Sequence, residues 1–254
     1  MATGTCTDPD TGSLGYLVWV NKSVQLQGGW NLSFAVRDAD AYPTELDAQG
    51  LGRVVYIHNA TTVIDNVASG NGGGLFLAFR DTLSLTNNVL ADNSAAAHGD
   101  QLYIYAGEWP SLVASLRHNT FAHRAGGDEA IYVGDYATVW MTNTLVVSHT
   151  TGILEDGTDS SVQADYTLFA ANGSNYQGDV SSSHEVTGTP GFVDPAGRDY
   201  HLTSTSDAID ASIDAGVYTY IDGGYRPGGP GFDIGADEWW LRVILPIVFR
   251  QYLP

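Results

Sequence analysis

The chain has 254 residues, of which 30 are glycine and 43% are hydrophobic, a composition typical of a folded, turn-rich β protein. Its formal net charge of −19 disfavours binding to nucleic acid, to anionic membranes and, unless cations intervene, to acidic polysaccharides. A single cysteine, Cys6, excludes an internal disulfide, and residues 1–15 show no apolar leader, which we interpret as a mature or trimmed form.

Two stretches near the N-terminus each predict two short strands joined by turns. They are GYLVWVNKSVQLQGGW (15–30) and TELDAQGLGRVVYIH (44–58). No stretch of the chain combines sustained helical periodicity with caps. We interpret these two stretches as the first coils of the fold that the following residues predict.

A repeat occupies the middle of the chain. Similar segments of about a dozen residues begin at 61, 83, 114, 139 and 162, in steps of 22, 31, 25 and 23 residues. Such a period indicates a solenoid, and short strands without room for a helix predict a right-handed parallel β-helix. Two apolar columns are expected to point inward, with coils stacked about 4.8 Å apart. The columns are Val63, Leu85, Leu116, Met141 and Ala164, and Ala68, Leu90, Phe121, Val146 and Phe169.

Asparagine recurs between the two columns, as Asn66, Asn88 and Asn119. Asn tolerates left-handed backbone, which suits a corner between two sheets, and stacked Asn side chains can form ladders. These residues are therefore predicted to be structural. The longest step marks an insertion, so residues 94–100 and 106–111 are expected to lengthen turns there.

The repeat fades after residue 188, which divides the chain into three predicted parts. Residues 1–188 form the coils, 189–238 a turn-rich acidic cap, and 239–254 an apolar tail. The cap is expected to cover the last coil, because an open solenoid end exposes strand edges and core.

The cap contains many carboxylates around one arginine. We predict that Arg226 bridges Asp222 and Asp233 and that Glu238 belongs to the same structural group. The alternative is a calcium site built from carboxylate oxygens in Gly-rich loops. Its candidate ligands are Asp210, Asp214 and Asp237.

The tail, WWLRVILPIVFRQYLP, is apolar but interrupted by Arg242, Pro246 and Arg250, which excludes a membrane span. Its β-branched residues favour an extended strand. Three interpretations stay open: packing along its own coils, a tail recognised for export or surface attachment, and strand addition to a neighbouring copy. The expected assembly residues are Leu241, Val243, Leu245, Ile247 and Phe249.

Four motifs near the two ends of the chain carry a resemblance: VNKSVQLQGGW, YPTELDAQGLGRVVYI, GTPGFVDPAGRDYHLTSTSDAIDAS and GGYRPGGPGFDIGADEW. The first two are similar to the opening of secreted bacterial pectate-lyase-like β-helix proteins, and the last two to the closing region of that group, called choice-of-anchor Q. The resemblance implies a β-helix exported to the cell surface or medium. It departs from the pattern at Asp207, where the closing motif usually has proline.

The same resemblance directs attention to catalytic groups on one outer face. Enzymes of this type use a carboxylate calcium cluster with a basic residue, or close acidic pairs with a histidine. The candidates here are Asp100, His118, His123 and Asp128. The alternative, which we favour, is that they are solvent-facing polar positions of the coils.

Aromatic residues offer a different chemistry, because sugars stack on exposed rings. Trp109, in an expected protruding loop, Trp140, expected to face outward, and Tyr103 are the candidates for glycan binding.

The sequence thus predicts an all-β, extracellular or cell-surface protein: a solenoid with a loop-rich cap and an extended tail. Our leading hypothesis is a non-enzymatic structural or adhesive protein that assembles head-to-tail through its tail. The alternatives are a polysaccharide lyase or glycoside hydrolase and a glycan-binding module. No cofactor is expected apart from possible calcium, and neither nucleic acid nor a transmembrane segment is expected.

Overall fold

The computed structural model describes residues 61–78, 82–107 and 111–240, together with four short strands nearer the N-terminus. Those strands are β1 (Gly4–Cys6), β2 (Tyr16–Val20), β3 (Thr44–Leu46) and β4 (Arg53–Ile57). β1 pairs in parallel with β3, and β2 with β4. Parallel pairing of strands far apart in sequence agrees with the coils predicted for this part of the chain.

All strands of the repeat region are short except two. In chain order they are β5 (Thr61–Ile64), β6 (Val67–Ala68), β7 (Leu75–Ala78), β8 (Thr82–Thr86), β9 (Asn88–Ala91), β10 (Ser94–Ala95), β11 (Leu102–Tyr105), β12 (Leu112–Arg117), β13 (Thr120–Val133), β14 (Ala137–Thr142), β15 (Leu145–Glu155), β16 (Ser161–Asp165), β17 (Leu168–Ala170), β18 (Ser174–Gln177), β19 (Val180–Ser183) and β20 (Val186–Thr187). They form a parallel β-solenoid of about four turns, as predicted.

Three parallel sheets make the walls of the solenoid. Sheet 1 has the order β19-β16-β14-β12-β8. Sheet 2 contains β5, β9, the first part of β13, the first part of β15, β17 and β20. Sheet 3 contains β7, β11, the remainder of β13 and β15, and β18. One strand from each sheet makes one coil, and β13 and β15 run through two walls.

The predicted inward columns are confirmed from the second copy onward. Leu116 pairs with Leu85 and with Met141, and Phe121 pairs with Leu90 and with Val146. These side chains are buried in one continuous apolar cluster inside the coils. The pairings fix the register, because a shift by one residue would turn every apolar side chain outward.

The first copy of the repeat is in a different register from the prediction. Val63 pairs with Leu90 rather than lying in the column of Leu85, and Ala68 pairs with Ala95. The step between these coils is therefore 27 residues, as also seen in the bond between the amide of Asn66 and Asn93. The prediction matched Asp65 and Asn66 to the corner at residues 87–88. They instead match Asp92 and Asn93 at the following corner of the next coil, where Asp and Asn also occur together.

Two asparagine ladders result, one at each edge of sheet 2. Between sheets 1 and 2, the Asn119 side-chain oxygen accepts from the backbone and side-chain nitrogens of Asn88, at 3.0 and 2.8 Å. Between sheets 2 and 3, Asn66 donates to Asn93 in the same way. The structural role predicted for Asn66, Asn88 and Asn119 is confirmed, with Asn66 at the second corner.

A column of left-handed residues precedes the first ladder. Asn87, His118, Asn143, Tyr166 and His184 all have φ between 45° and 56°. Asn reaches this conformation at low cost, and the non-Asn members show that stacking at the corner imposes it on other side chains. The corner is therefore set by its place in the coil as well as by residue type.

The sequence predicted that residues 189–238 cover the last coil. In the structure they lie beside the coils, against the outer face of sheet 2. They contain an antiparallel pair, β21 (Phe192–Asp194) and β22 (Asp199–Leu202), joined by a 3₁₀ turn at Pro195–Gly197, and otherwise turns. We call them the side layer. Their apolar residues form a second buried cluster with outward residues of sheet 2 such as Val89 and Leu168.

The layer approaches sheet 2 closely enough to need a glycine. Gly235 has φ +104°, and a Cβ there would lie 2.5 Å from a methyl carbon of Leu145. Its amide donates to the carbonyl of Asn143, and the next amide, of Ala236, donates to the hydroxyl of Thr120. In the part of the chain that the structure describes, no helix is long and apolar enough to cross a membrane.

Candidate functional site

Sheet 1 carries an exposed tryptophan on an outer face that is polar apart from Val113. Trp140 is 47% exposed and points outward, as predicted. Register places it between Ser115 and Gln163, with Ser181 on the next strand. An isolated indole among hydroxyl and amide groups offers both a stacking surface and hydrogen-bond partners.

A shallow depression of about 300 Å³ adjoins this tryptophan. Its polar lining comes from Thr142, Gln163, Asp165 and Ser183, along with Ser181. The Asp165 carboxylate is held in place, because it accepts from Ser183 at 2.9 Å and lies 2.8 Å from Nδ1 of His184. The depression thus combines one aromatic ring with several polar groups, of which the Asp165 carboxylate is held in place.

Tyr103, the second described glycan candidate, lies on the outside of sheet 3. Its ring is stacked between Phe76 and Tyr132, with centroids 4.9 Å away on both sides and nearly parallel planes. Both ring faces are therefore occupied, and the residue is only 9% exposed. This geometry stabilises sheet 3 and leaves no face of Tyr103 for a sugar. The third candidate, Trp109, lies outside the described residues.

Three of the four catalytic candidates come together beside sheet 3. The two carboxylate oxygens of Asp100 accept from the amides of Ala95, at 2.8 Å, and Asp128, at 2.7 Å. The His123 ring lies near Asp100, since a Cβ built on Gly127 would contact both side chains. Burial raises the pKa of Asp100, against the lowering effect of its two amide bonds. The carboxylate is used to hold two turns together.

His149 joins this group, although sequence reasoning did not select it. Its ring is nearly perpendicular to that of His123, with centroids 5.9 Å apart. Its Nε2 lies 3.2 Å from the side-chain nitrogen of Gln101. Burial lowers the pKa of His149 to about 3, so it is neutral near pH 7 and unsuited to proton transfer there. His149 occupies the same position of the repeat as Asn93 and Asn172. An alignment of the repeats at this second corner would have identified it as a buried corner residue.

His118 lies at a different corner, away from the other three candidates. It is fully buried beneath the side layer, with Nε2 2.9 Å from the side-chain nitrogen of Asn143 and its ring 6.3 Å from that of Phe232. Burial and the nearby Arg226 lower the pKa of His118 well below its usual range. The predicted four-residue constellation does not form, because His118 occupies the left-handed corner column.

Arg226 is the centre of a buried polar network in the side layer. Its Nη1 pairs with Glu238 at 2.9 Å, and its Nη2 donates to the carbonyls of Gly235 and Ala236. Nη2 also reaches the side-chain oxygen of Asn87 in the coil, at 3.3 Å. Burial lowers the pKa of Arg226 to about 10, so it remains charged near neutrality. The arginine therefore joins the layer to the first ladder corner.

The partners of Arg226 differ from those predicted. Asp233 contributes its main-chain carbonyl, at 3.3 Å, while its carboxylate accepts from the amides of Asp210 and Trp239. Burial raises the pKa of Asp233 to about 7, and the negative charge of Glu238 acts in the same direction. The two amide bonds oppose this shift. Asp222 lies apart from the network and close to His201 instead. The sequence placed Glu238 in the group of Arg226 but did not assign it as the arginine's partner, because residue spacing does not reveal the turn through which Glu238 reaches it.

The three predicted calcium ligands are used separately. Asp210 accepts from the amide of Gly231 at 2.8 Å, and Asp214 from the amide of Gly216 at 2.8 Å. Asp237 accepts from the amide of Leu202 at 2.7 Å. Asp214 closes its own turn, whereas Asp210 and Asp237 bond to segments distant in sequence, and the structure does not bring the three together. The assembly residues predicted in the tail, from Leu241 to Phe249, lie outside the described residues.

No protein-family model, no curated protein and no solved structure matches the chain significantly. The strand pairings alone show the parallel β-solenoid. A fold does not determine a function, so function is argued from the side chains that the fold presents.

Arg226→Met is expected to destabilise the protein by about 3–5 kcal/mol, because Glu238 would remain buried without its cationic partner. Arg198→Met is the matched control, since Arg198 pairs with Asp65 at the surface and its loss should cost less than about 1 kcal/mol. Urea unfolding near neutral pH measures both. Similar small losses in the two variants would contradict a stabilising role for the buried network.

Proposed function

We propose that this chain is a non-enzymatic, extracellular or cell-surface adhesive solenoid that binds a neutral glycan on the outer face of sheet 1. The observation that carries the proposal is the exposed indole of Trp140 beside a depression lined by hydroxyl, amide and carboxylate groups. A pyranose ring could stack its apolar face on the indole while its hydroxyls bond to Gln163, Ser181 and Ser183.

Charge favours a neutral glycan over an acidic one. Asp165 lines the depression, and the whole chain carries a net charge of −19. An anionic polysaccharide would approach against this field, whereas the hydroxyls of a neutral sugar can donate to the carboxylate. The substrate class of the pectate-lyase-like proteins that the sequence resembles is therefore disfavoured for this surface.

The extracellular or cell-surface location rests on resemblance. The closing motifs around Asp207 and Asp237 resemble the choice-of-anchor Q region of secreted β-helix proteins. An acidic surface and only ten basic residues also suit a protein that must stay soluble outside the cell.

Catalysis is the alternative, and the side chains give it less support. Both oxygens of Asp100 are engaged by backbone amides, and His149 is neutral near pH 7. The arginines with described side chains are engaged elsewhere: Arg117 with the carbonyl of Ala215, Arg226 with Glu238, and both Arg124 and Arg198 with Asp65. A lyase would need a basic residue beside the acidic group. A glycan-binding role requires none of these groups to react.

Head-to-tail assembly is a second part of the proposal. Within the described residues, β18, β19 and β20 of the last coil each pair with a strand on one side only. An unpaired strand edge is a template for strand addition, and the apolar tail of a second copy is the proposed partner. Assembly would multiply weak glycan contacts along a filament.

Trp140→Ala is expected to weaken binding to a neutral glycan at least about tenfold, because it removes the stacking surface. The ligand would first be identified on an array of neutral and acidic oligosaccharides, and affinity measured by calorimetry. Tyr225→Ala is the control, since Tyr225 is 76% exposed but belongs to the side layer. Unchanged binding by the Trp140 variant, or selective binding of acidic glycans, would contradict the proposal.

Assembly is tested by comparing the full chain with a chain ending at Trp240. This end point keeps Trp239, whose amide donates to Asp233, so the side layer stays complete. Light scattering and electron microscopy should show oligomers or filaments from the full chain and monomers from the shortened one. Monomers from both would refute tail-driven assembly while leaving the glycan proposal standing.

A further inference from the structure

Three side chains from separate segments of the side layer converge near β22. His201 lies in β22, Asp222 in the turn after Ile221, and Asp237 shortly before the end of the layer. One ligand atom of each lies within 4.8 Å of those of the other two. Sequence spacing did not group them, because 21 residues separate His201 from Asp222.

The orientation of His201 is fixed by a fourth residue. Its Nδ1 lies 2.5 Å from a carboxylate oxygen of Asp199, which favours the tautomer with the proton on Nδ1. In the neutral ring Nε2 would carry a lone pair facing Asp222, whose Oδ2 is 3.1 Å away, whereas a doubly protonated ring would donate to that oxygen. Two acceptors facing each other at this distance require a cation or a proton between them. Metal-binding histidines are commonly oriented by a carboxylate in this manner.

An adjoining cavity is an independent observation that points to a ligand. A space of about 60 Å³ is lined by His201 and Asp237, together with Arg198, Tyr200, Ile221 and Val89, and the Arg198 guanidinium is paired with Asp65. This volume can hold an ion with a water molecule. Asp237 is 7% exposed, so an ion bound to it would be partly shielded from solvent.

We propose that His201, Asp222 and Asp237 bind a divalent transition-metal ion of the zinc class, with Asp199 as the positioning residue for the histidine. Zinc binds His nitrogen and Asp or Glu oxygen, and a site with three protein ligands leaves a position for water. In a tetrahedral site, donor atoms lie about 3.3 Å apart, close to the His201–Asp222 separation. Calcium is disfavoured, because it takes six to eight oxygen ligands.

The ion would join three segments of the side layer. β22, the Asp222 turn and the chain at Asp237 meet where the layer packs on Val89 of sheet 2. Because these ligands come together only when the layer is folded, binding would stabilise the layer on the solenoid. This inference does not depend on glycan binding by sheet 1.

The test is calorimetric titration of the metal-free full chain with zinc chloride, alongside thermal unfolding. One ion per chain is expected, and at a free concentration one hundred times the dissociation constant the melting temperature should rise by roughly 5–10 °C. His201→Gln and Asp222→Asn should each weaken binding more than tenfold, and Asp199→Asn by about 10–100-fold. His184→Gln is the matched control, because His184 is an exposed histidine bonded to a single carboxylate.

A measurement on the unaltered chain keeps the proposal falsifiable if a variant does not fold. Long-range ¹H–¹⁵N spectra of the imidazoles should show the His201 Nε2 signal shifting on zinc addition while that of His184 stays unchanged. Absence of a stoichiometric shift, equal binding by the His201→Gln variant, or stabilisation by calcium but not by zinc would overturn the assignment. In the first two cases His201 would be a hydrogen-bonded link between Asp199 and Asp222.

Discussion

The strands of sheet 2 bury both of their faces, and the rest of the structure depends on this constraint. Their inward side chains, such as Leu90 and Phe121, fill the coils, while the outward Val89 and Leu145 pack under the side layer. Removing this apolar area from water on both sides stabilises the coil stack and the layer together. Neither the layer, which is mostly turns, nor a single coil could bury a core alone.

The corner between sheets 1 and 2 connects the two cores. Three of the residues in the left-handed column, Asn87, His118 and Asn143, turn their side chains toward the layer. Asn87 donates to the carbonyl of Thr219 at 2.6 Å, and Asn143 to that of Ile213 at 2.7 Å. Arg226, which belongs to the layer, donates to the side-chain oxygen of the same Asn87. Because the layer covers sheet 2 and its corner, it leaves the outer face of sheet 1 open. Trp140 is therefore exposed to solvent.

Sequence reasoning reached the solenoid because stacking imposes a pattern that can be read directly. Leu85, Leu116 and Met141 recur at coil spacing, and Asn88 and Asn119 mark the corner. The first coil was misaligned because two corners use similar residues, so that Asp65 and Asn66 matched the wrong one.

The position of the side layer could not be predicted, since it depends on apolar residues of sheet 2 that face outward, such as Val89. In a buried strand these are indistinguishable by periodicity from inward ones. The site residues show the same limit. The repeat placed Asp100 and His123 on neighbouring coils, whereas His201, Asp222 and Asp237 come from a layer without a repeat. Long-range pairs such as Arg226 with Glu238 arise from turn geometry that residue spacing does not encode.

Amide hydrogen exchange on the full chain tests most directly whether the side layer covers sheet 2. The account predicts that the amides of Leu145 and Leu168 exchange more slowly than those of Val139 and Val162 in sheet 1, because only sheet 2 is covered outside. The amides of Gly235 and Ala236, which bond to the coils, should be protected with them. Rapid exchange throughout residues 189–238, with equal protection of the two sheets, would contradict the arrangement on which the proposed sites rest.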